Sequence, residues 1–263
     1  MSFEKPPEPP ATRKPSGNAD YRWAEFDSEA YFQHYYGEPH PDDDLLIRHA
    51  VEAMKLAPPL GAELDIVDVG TGPNLIPFYC ALPRARQLTA WEYAESNVAW
   101  LEAELRTERM RPQWRHFWCT AREAYGPGYD LPENPVALLR SRTPRRCSFA
   151  PESITERQDE FDAACAAFAR SVKPGGARIA AFLVRSAGYV VADRPFPVLC
   201  LSADTIETVF SRHAENIKAA RIGIVEREIR SGYSGFVFLT GSRAERRRTA
   251  FLVQCESPTH GFS

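Results

Sequence analysis

Along this chain, stretches in which apolar residues recur every second position give way to stretches in which they recur every third or fourth. "DIVDVGTGPN" (65–74) is of the first kind, an alternating run that ends at two closely spaced glycines and an Asn. It predicts a strand, "LDIVDVG", a tight turn, and then a helix through "LIPFYCAL". "QLTAWEY" (87–93) reads as a second strand and "NVAWLEAEL" (97–105) as a helix with Val98, Leu101 and Leu105 on one face. Upstream, "SEAYFQHYYGEPH" (28–40) predicts a short helix. "PDDDLLIRHAVEAMKLAPP" (41–59) predicts a longer one, with Leu46, Ala50, Ala53 and Met54 as its apolar stripe and three Asp residues where the helix dipole favours them.

Downstream, "SITERQDEFDAACAAFARSVKPGG" (153–176) has the clearest helical spacing, through Phe161, Cys165, Phe168 and Val172. Thr155 and Gln158 match a capping box, and Lys173-Pro174-Gly175-Gly176 marks the end. "ARIAAFLV" (177–184) reads as a buried strand, followed by a helix over 204–215 and two strands, "ARIGIVEREI" and "GYSGFVFLTG". The stretch from Arg106 to Ala150 is poorly patterned. Strands alternating with helices imply an α/β fold with a doubly wound, mostly parallel sheet. The last two strands, joined across "RSGY", are expected as an antiparallel hairpin.

Composition narrows the class. The 263 residues are 44% hydrophobic and 25% charged, enough for a sizeable core, and the net charge of −3 disfavours a general nucleic-acid binder. No apolar run is long enough to span a membrane. The Pro-rich residues 1–20 are expected as a disordered arm, 21–242 as one domain and 243–263, with "RAERRR", as a solvated tail. Six scattered cysteines without a CxxC pair indicate a reduced, cytoplasmic protein, and six histidines without ligand spacing indicate no metal.

The glycine turn is the chemical feature. In such a sheet it lies at the carboxyl end of the first strand, where ligands bind, and Gly70 and Gly72 allow close backbone approach. Glu92, twenty residues beyond Gly72, ends the second strand, where an acid can accept both ribose hydroxyls of an adenosine. A dinucleotide would need GxGxxG, but Leu75 replaces the third glycine and Pro73 removes an amide. S-adenosylmethionine, which carries no phosphate, needs only the bend and the acid.

"VDVGTGPN", "WEYAESN" and "AYFQHYYG" together resemble the methyltransferase family that includes the nicotinamide, phenylethanolamine and thioether (indolethylamine) N-methyltransferases, in its actinobacterial small-molecule branch. The likeness covers roughly residues 21–241. It implies a class I methyltransferase fold with an N-terminal helical lid, S-adenosylmethionine as cofactor, and methylation of a small molecule, at nitrogen by analogy. It implies that Gly70, Thr71, Gly72 and Asn74 hold the methionine part, that Glu92 and Asn97 serve the ribose side and that Tyr93 flanks the adenine. Tyr31 and Tyr36 become the lid tyrosines, and Trp23 stands for a third. On spacing alone, an amphipathic patch over the core is the favoured reading of Tyr31, Tyr35 and Tyr36, and the companion motifs reverse that preference. On the acceptor side the resemblance implies Glu152, in "FAPESIT", as the carboxylate facing the amine and the tentative catalytic group, with Tyr189 and Phe182 in the pocket.

The resemblance breaks in "ENPVALLRSRTPRRCSFAPES" (133–153). No Asp lies there to meet an adenine, and "TPRRCSF" stands where an apolar fourth strand is needed. "PVALLR" (135–140) supplies a shortened strand, or the segment is a deletion or a local reading-frame fault. The expectation is therefore an S-adenosylmethionine-dependent methyltransferase. A catalytically weak or inactive relative is the alternative, and a nicotinamide oxidoreductase is more distant.

Overall fold

The computed structural model describes residues 15–143, 145–147, 155–223 and 233–244, with 145–147 given by their backbone alone. The elements are α1 (Ser28–Tyr36), α2 (Pro41–Leu56), β1 (Leu64–Val69), α3 (Ile76–Ala81), β2 (Ala85–Trp91), α4 (Glu95–Arg106), α5 (Pro112–Tyr125), α6 (Val136–Arg142) and β3 (Arg145–Cys147). Then follow α7 (Gln158–Ser171), β4 (Ala177–Leu183), β5 (Tyr189–Val191), β6 (Arg194–Phe196), α8 (Ala203–Ser211), β7 (Glu215–Ile222) and β8 (Phe236–Ser242).

The fold is α/β with a parallel sheet, but the sheet is not continuous. Strands β1, β2 and β3 pair in parallel in that order, while β4, β8 and β7 form a separate antiparallel sheet and β5 and β6 a small hairpin. Among the described residues no ladder joins β1 to β4. The α/β fold with a parallel sheet is as expected; the anomalous segment is described only in part, residues 148–154 lying outside the described residues. "PVALLR" is helical: Val136 and Leu139 are buried, and Arg140 donates to the carbonyls of Leu105 (2.9 Å), Arg106 (3.0 Å) and Thr107 (3.3 Å), capping the end of α4. The short strand that follows pairs Thr89 with Arg145 on the outer side of β2, away from β1.

The core is divided as the sheets are. One cluster packs Phe32, Ile47, Val51, Phe78, Tyr79, Leu88, Trp114, Phe117 and Trp118 around β1 and β2. A second joins Phe161, Phe182, Ile206, Val237 and Leu239 on the other sheet. Helix α2 buries Ile47 and Val51 most deeply, while Ala50 and Met54 of the expected stripe are partly buried against the same core. Helix α5 went unread in the poorly patterned stretch, although Trp114, Phe117, Trp118, Ala121 and Tyr125 follow helical spacing. Residues 15–20, expected within a disordered arm, are docked. The Ser16 amide donates to Glu156 (2.9 Å), that of Asn18 to Glu160 (2.8 Å), and the Trp23 indole to the Asn18 carbonyl (3.1 Å).

The expected capping box at Thr155 does not form. Thr155 donates to Glu160 at 2.7 Å and accepts from the Arg157 amide at 3.0 Å, so α7 starts only at Gln158. The strand at 177–184 is only partly buried, with Ala181 exposed. The penultimate strand sits earlier than expected, and residues 224–229 lie outside the described residues.

Arg84 fixes how the chain enters the parallel sheet. It is buried, and its guanidinium donates to the carbonyls of Met54, Lys55, Ala57, Pro59 and Ala62 at 2.7–3.1 Å. These are the end of α2 and the loop that delivers β1. Arg84→Met preserves the stem but strands several of these carbonyls, so it should cost about 3 kcal/mol or more. A urea midpoint equal to that of the parent chain would show that the loop holds itself.

Candidate active site

The turn after β1 is shaped by two left-handed glycines, Gly70 at φ 74° and Gly72 at φ 59°. The Gly70 amide donates to the Trp91 carbonyl at 2.6 Å, locking the end of β1 to the end of β2. The next lock is ionic in character. Buried Glu92 accepts from the Gly72 amide at 2.7 Å through one oxygen and from the Ala94 amide at 2.8 Å through the other. Each oxygen keeps a second lone pair. Asn74 then opens α3, its Oδ1 accepting from the Ile76 amide at 2.8 Å, while its Nδ2 donates to the Tyr36 hydroxyl at 3.1 Å.

That last bond ties helix α1 over the turn. Asp27 accepts from the Ala30 amide at 2.9 Å to start the helix, and Ser28 donates to Asn97 at 2.7 Å. Glu29 takes the Trp100 indole at 2.8 Å and both Arg111 nitrogens at 2.7 and 3.0 Å, so the guanidinium holds its carboxyl down at about 2. Above the turn this helix and its neighbours present aromatic rings. Tyr31 lies 4.5 Å from Tyr35, 6.2 Å from Tyr36 and 6.1 Å from Tyr189 between ring centroids. Tyr189 stacks on Phe196 at 5.6 Å, which in turn meets Trp23 at 5.4 Å.

Twelve residues singled out from the sequence line one cavity of about 420 Å³: Trp23, Tyr31, Tyr36, Gly70, Thr71, Gly72, Asn74, Glu92, Tyr93, Asn97, Phe182 and Tyr189. Its walls are drawn from the glycine turn, helix α1 with the residues before it, and the second sheet. Tyr93 is half exposed at its mouth, while Phe182 is buried. Glu152 lies outside the described residues.

Sequence reading missed two acids. Asp43, the second Asp of α2, also lines the cavity, and so does Asp68 at the end of β1. Oxygen Oδ2 of Asp68 is buried without a hydrogen-bond partner. Burial, reinforced by the negative Glu92, pushes this carboxyl up to about 6. The alternation of "DIVDVG" contains the signal for Asp68, as the acid two residues before the first glycine.

The arrangement suits a polar, partly cationic ligand with hydroxyls to donate. It does not suit a pyrophosphate, because Glu92 occupies the Gly72 amide and Pro73 has none to offer. Among the described residues, no group of three His, Cys, Asp or Glu is placed to hold a metal, and no helix is long and apolar enough to cross a membrane.

Fold and turn together thus define an α/β protein with a cavity at the carboxyl end of a parallel sheet. The chain is 21% identical over 208 residues to a nicotinamide N-methyltransferase of Sus scrofa, spanning 69% of this chain and 79% of that protein. Among solved structures, it is similar to the Burkholderia thailandensis 1,6-didemethyltoxoflavin-N1-methyltransferase with bound 1,6-didemethyltoxoflavin and S-adenosylhomocysteine. That match covers 90% of this chain and 94% of the other at 11% identity, with a TM-score of 0.47. No protein-family model matches.

The raised Asp68 carboxyl makes stability pH-dependent. An unfolded Asp titrates near about 4, so between there and about 6 the native state holds the extra proton. That contribution is complete below the lower value and is lost as pH rises through the upper one. Asp68→Asn removes the titration. Urea midpoints at pH 5 and pH 7 should therefore fall further in the parent than in the variant; equal falls would mean that Asp68 titrates normally.

Proposed function

We propose that the chain is a small-molecule methyltransferase that uses S-adenosylmethionine and delivers the methyl group in line to a nitrogen of a small acceptor. The observation that carries this reading is the meeting of the Gly70–Gly72 turn, Glu92 and the tyrosine lid on one cavity. The sequence similarity to an N-methyltransferase supports the same class.

The residues fit the cofactor. The spare lone pairs of Glu92 suit two ribose hydroxyls, and Asn97 stands on the same side. A Cβ built on Gly72 would meet nothing nearer than the Gly70 carbonyl oxygen at 3.9 Å, which leaves its outer face open to a ligand. The unpartnered Oδ2 of Asp68 supplies negative charge beneath the turn, suited to the cationic methionine end. When bound, S-adenosylmethionine supplies an electrophilic methyl on a sulfonium.

The protein's own task is then to align and to exclude water. Faces of Tyr31, Tyr36 and Tyr189 favour a cation and cover it. The Tyr36–Asn74 bond closes the lid onto the turn, so closure and cofactor contact share one residue. Phe182 gives the acceptor wall an apolar surface, suiting an acceptor flatter and less cationic than a simple alkylamine. Glu152 is the candidate to take or orient the acceptor's proton, and no covalent intermediate with a protein nucleophile is needed.

A second reading, cofactor binding without turnover, is favoured by one observation: the turn and the acceptor wall stand on sheets that share no ladder among the described residues. Calorimetric titration with S-adenosylmethionine and S-adenosylhomocysteine tests the site. Micromolar binding, weakened at least about tenfold in Glu92→Ala and partly restored in Glu92→Gln, is expected, corresponding to about 1.4 kcal/mol or more. No heat from folded protein, or binding indifferent to Glu92, would overturn it. Methyl transfer to a panel of pyridines, indoles and aromatic amines separates the two readings.

A further inference from the structure

The cavity between helix α1 and the glycine turn is unbalanced in charge. Asp43 from the start of α2, Asp68 from the end of β1 and Glu92, next after β2, all line it. Among the described residues no Lys, Arg or His does so. Glu92 is held by two backbone amides, at 2.7 and 2.8 Å. Asp68 is not held in this way: its Oδ2 is buried and has no hydrogen-bond partner. A carboxyl group in that state either meets a cation or keeps its proton, because burial penalises the charged form and not the acid.

The surroundings of Asp68 favour the proton. Glu92 stands beside it, and its negative charge opposes a second one. On α3, Cys80 faces it, and that thiol is pushed up to about 12 by burial and by the charge of Asp68. Tyr31 and Tyr36 of α1 line the same cavity and bring hydroxyls but no positive charge. Of the described groups, only the Thr71 hydroxyl favours the charged form. Burial outweighs it, so the carboxyl stands at about 6.

We propose that the empty cavity keeps a proton on Asp68 and that the positive charge of an arriving ligand displaces it. This rests on reading the cavity as an S-adenosylmethionine site, since that cofactor brings both a sulfonium and an ammonium. The Asp68 O–H bond breaks, its electron pair stays on the carboxylate, and the proton passes to water. The ligand's charge then neutralises the carboxylate that no side chain of the cavity neutralises among the described residues. Binding that releases a proton strengthens as pH rises, and levels off once the empty site is already ionised. Asp68 thereby makes affinity depend on the charge of the ligand and not only on its nucleoside.

Titration calorimetry at pH 6, in two buffers of different ionisation enthalpy, counts the protons. S-adenosylmethionine should release about 0.4 proton or more per site, and its affinity should rise at least about fivefold from pH 5 to pH 7. Asp68→Asn should bind without release and with a flat pH profile. Methylthioadenosine, which has neither cation, should release none from the parent. S-adenosylhomocysteine keeps only the ammonium, so release with it assigns the exchange to that group. Release with S-adenosylmethionine alone assigns it to the sulfonium. Binding of S-adenosylmethionine without release, or equal release from Asp68→Asn or with methylthioadenosine, would overturn the exchange and leave the methyltransferase reading standing. No binding of either cofactor form by folded parent would overturn both. If Asp68→Asn does not fold, carboxyl-carbon NMR of the parent decides. A carboxyl titrating near 6 should be present in the empty protein and leave that range on loading; a carboxyl that stays there, or none at all, would overturn the exchange.

Discussion

The fully buried Asp42 carboxylate accepts a hydrogen bond at 2.9 Å from Tyr233, which leads into the antiparallel sheet, while its helix packs on the parallel one. Much of the molecule depends on that crossing. In a continuous sheet, the relation between first and second halves is set by a ladder of backbone bonds. Among the described residues it is carried by side chains on α2, including His49 over Phe238 at 5.5 Å, and by Lys173 against Asp65 at the foot. A hydrogen bond to a buried charged group contributes about 1.5–3 kcal/mol, several times an exposed ion pair. The brace is therefore strong for its size but concentrated in few groups.

The same three acids show why a local reading of α2 falls short. Consecutive Asp residues at a helix start are favoured by the dipole, and that suffices to explain their presence. Their directions come from tertiary structure. Asp42 meets Tyr233, Asp43 faces the cavity, and Asp44 accepts from Thr120 at 3.2 Å and stands 2.9 Å from His116 on α5. One turn of helix thereby touches both sheets' surroundings and the ligand space between them. The site inherits its position from this turn as much as from the glycines.

Local chemistry was legible wherever a residue's role is decided within a few positions. The strand–glycine turn–helix unit, Glu92 at the end of the next strand and the tyrosine helix were all readable, because backbone sterics and periodicity dictate them. What escaped was decided at long range. "PVALLR" has the composition of a strand, yet Arg140 and Leu139 find partners on α4 and in the core only as a helix. Thr155 has a capping residue's chemistry, but Glu160 competes for its hydroxyl. Helix α5 is different: Trp114, Phe117, Trp118, Ala121 and Tyr125 carry helical spacing within a stretch otherwise rich in charged and polar residues. The separate ladders seen among the described residues follow from pairing at long range, which no local rule supplies.

A methyl transfer has little covalent chemistry for the protein to perform, so positioning carries most of the rate. In the proposed reading the donor rests on the glycine turn of the parallel sheet, and the acceptor meets Phe182 on β4 of the other. Displacing one wall by about an ångström can cost on the order of a hundredfold in rate. The Glu92 clamp and the Tyr36–Asn74 bond make the donor side rigid within itself. They do nothing for its relation to the acceptor wall, which among the described residues rests on α2. Binding and turnover are thus governed by different parts of the molecule. In the proposed reading, a chain with an intact turn but a displaced acceptor wall would hold its cofactor and transfer nothing, so the two functional readings differ in how firmly α2 joins the two walls.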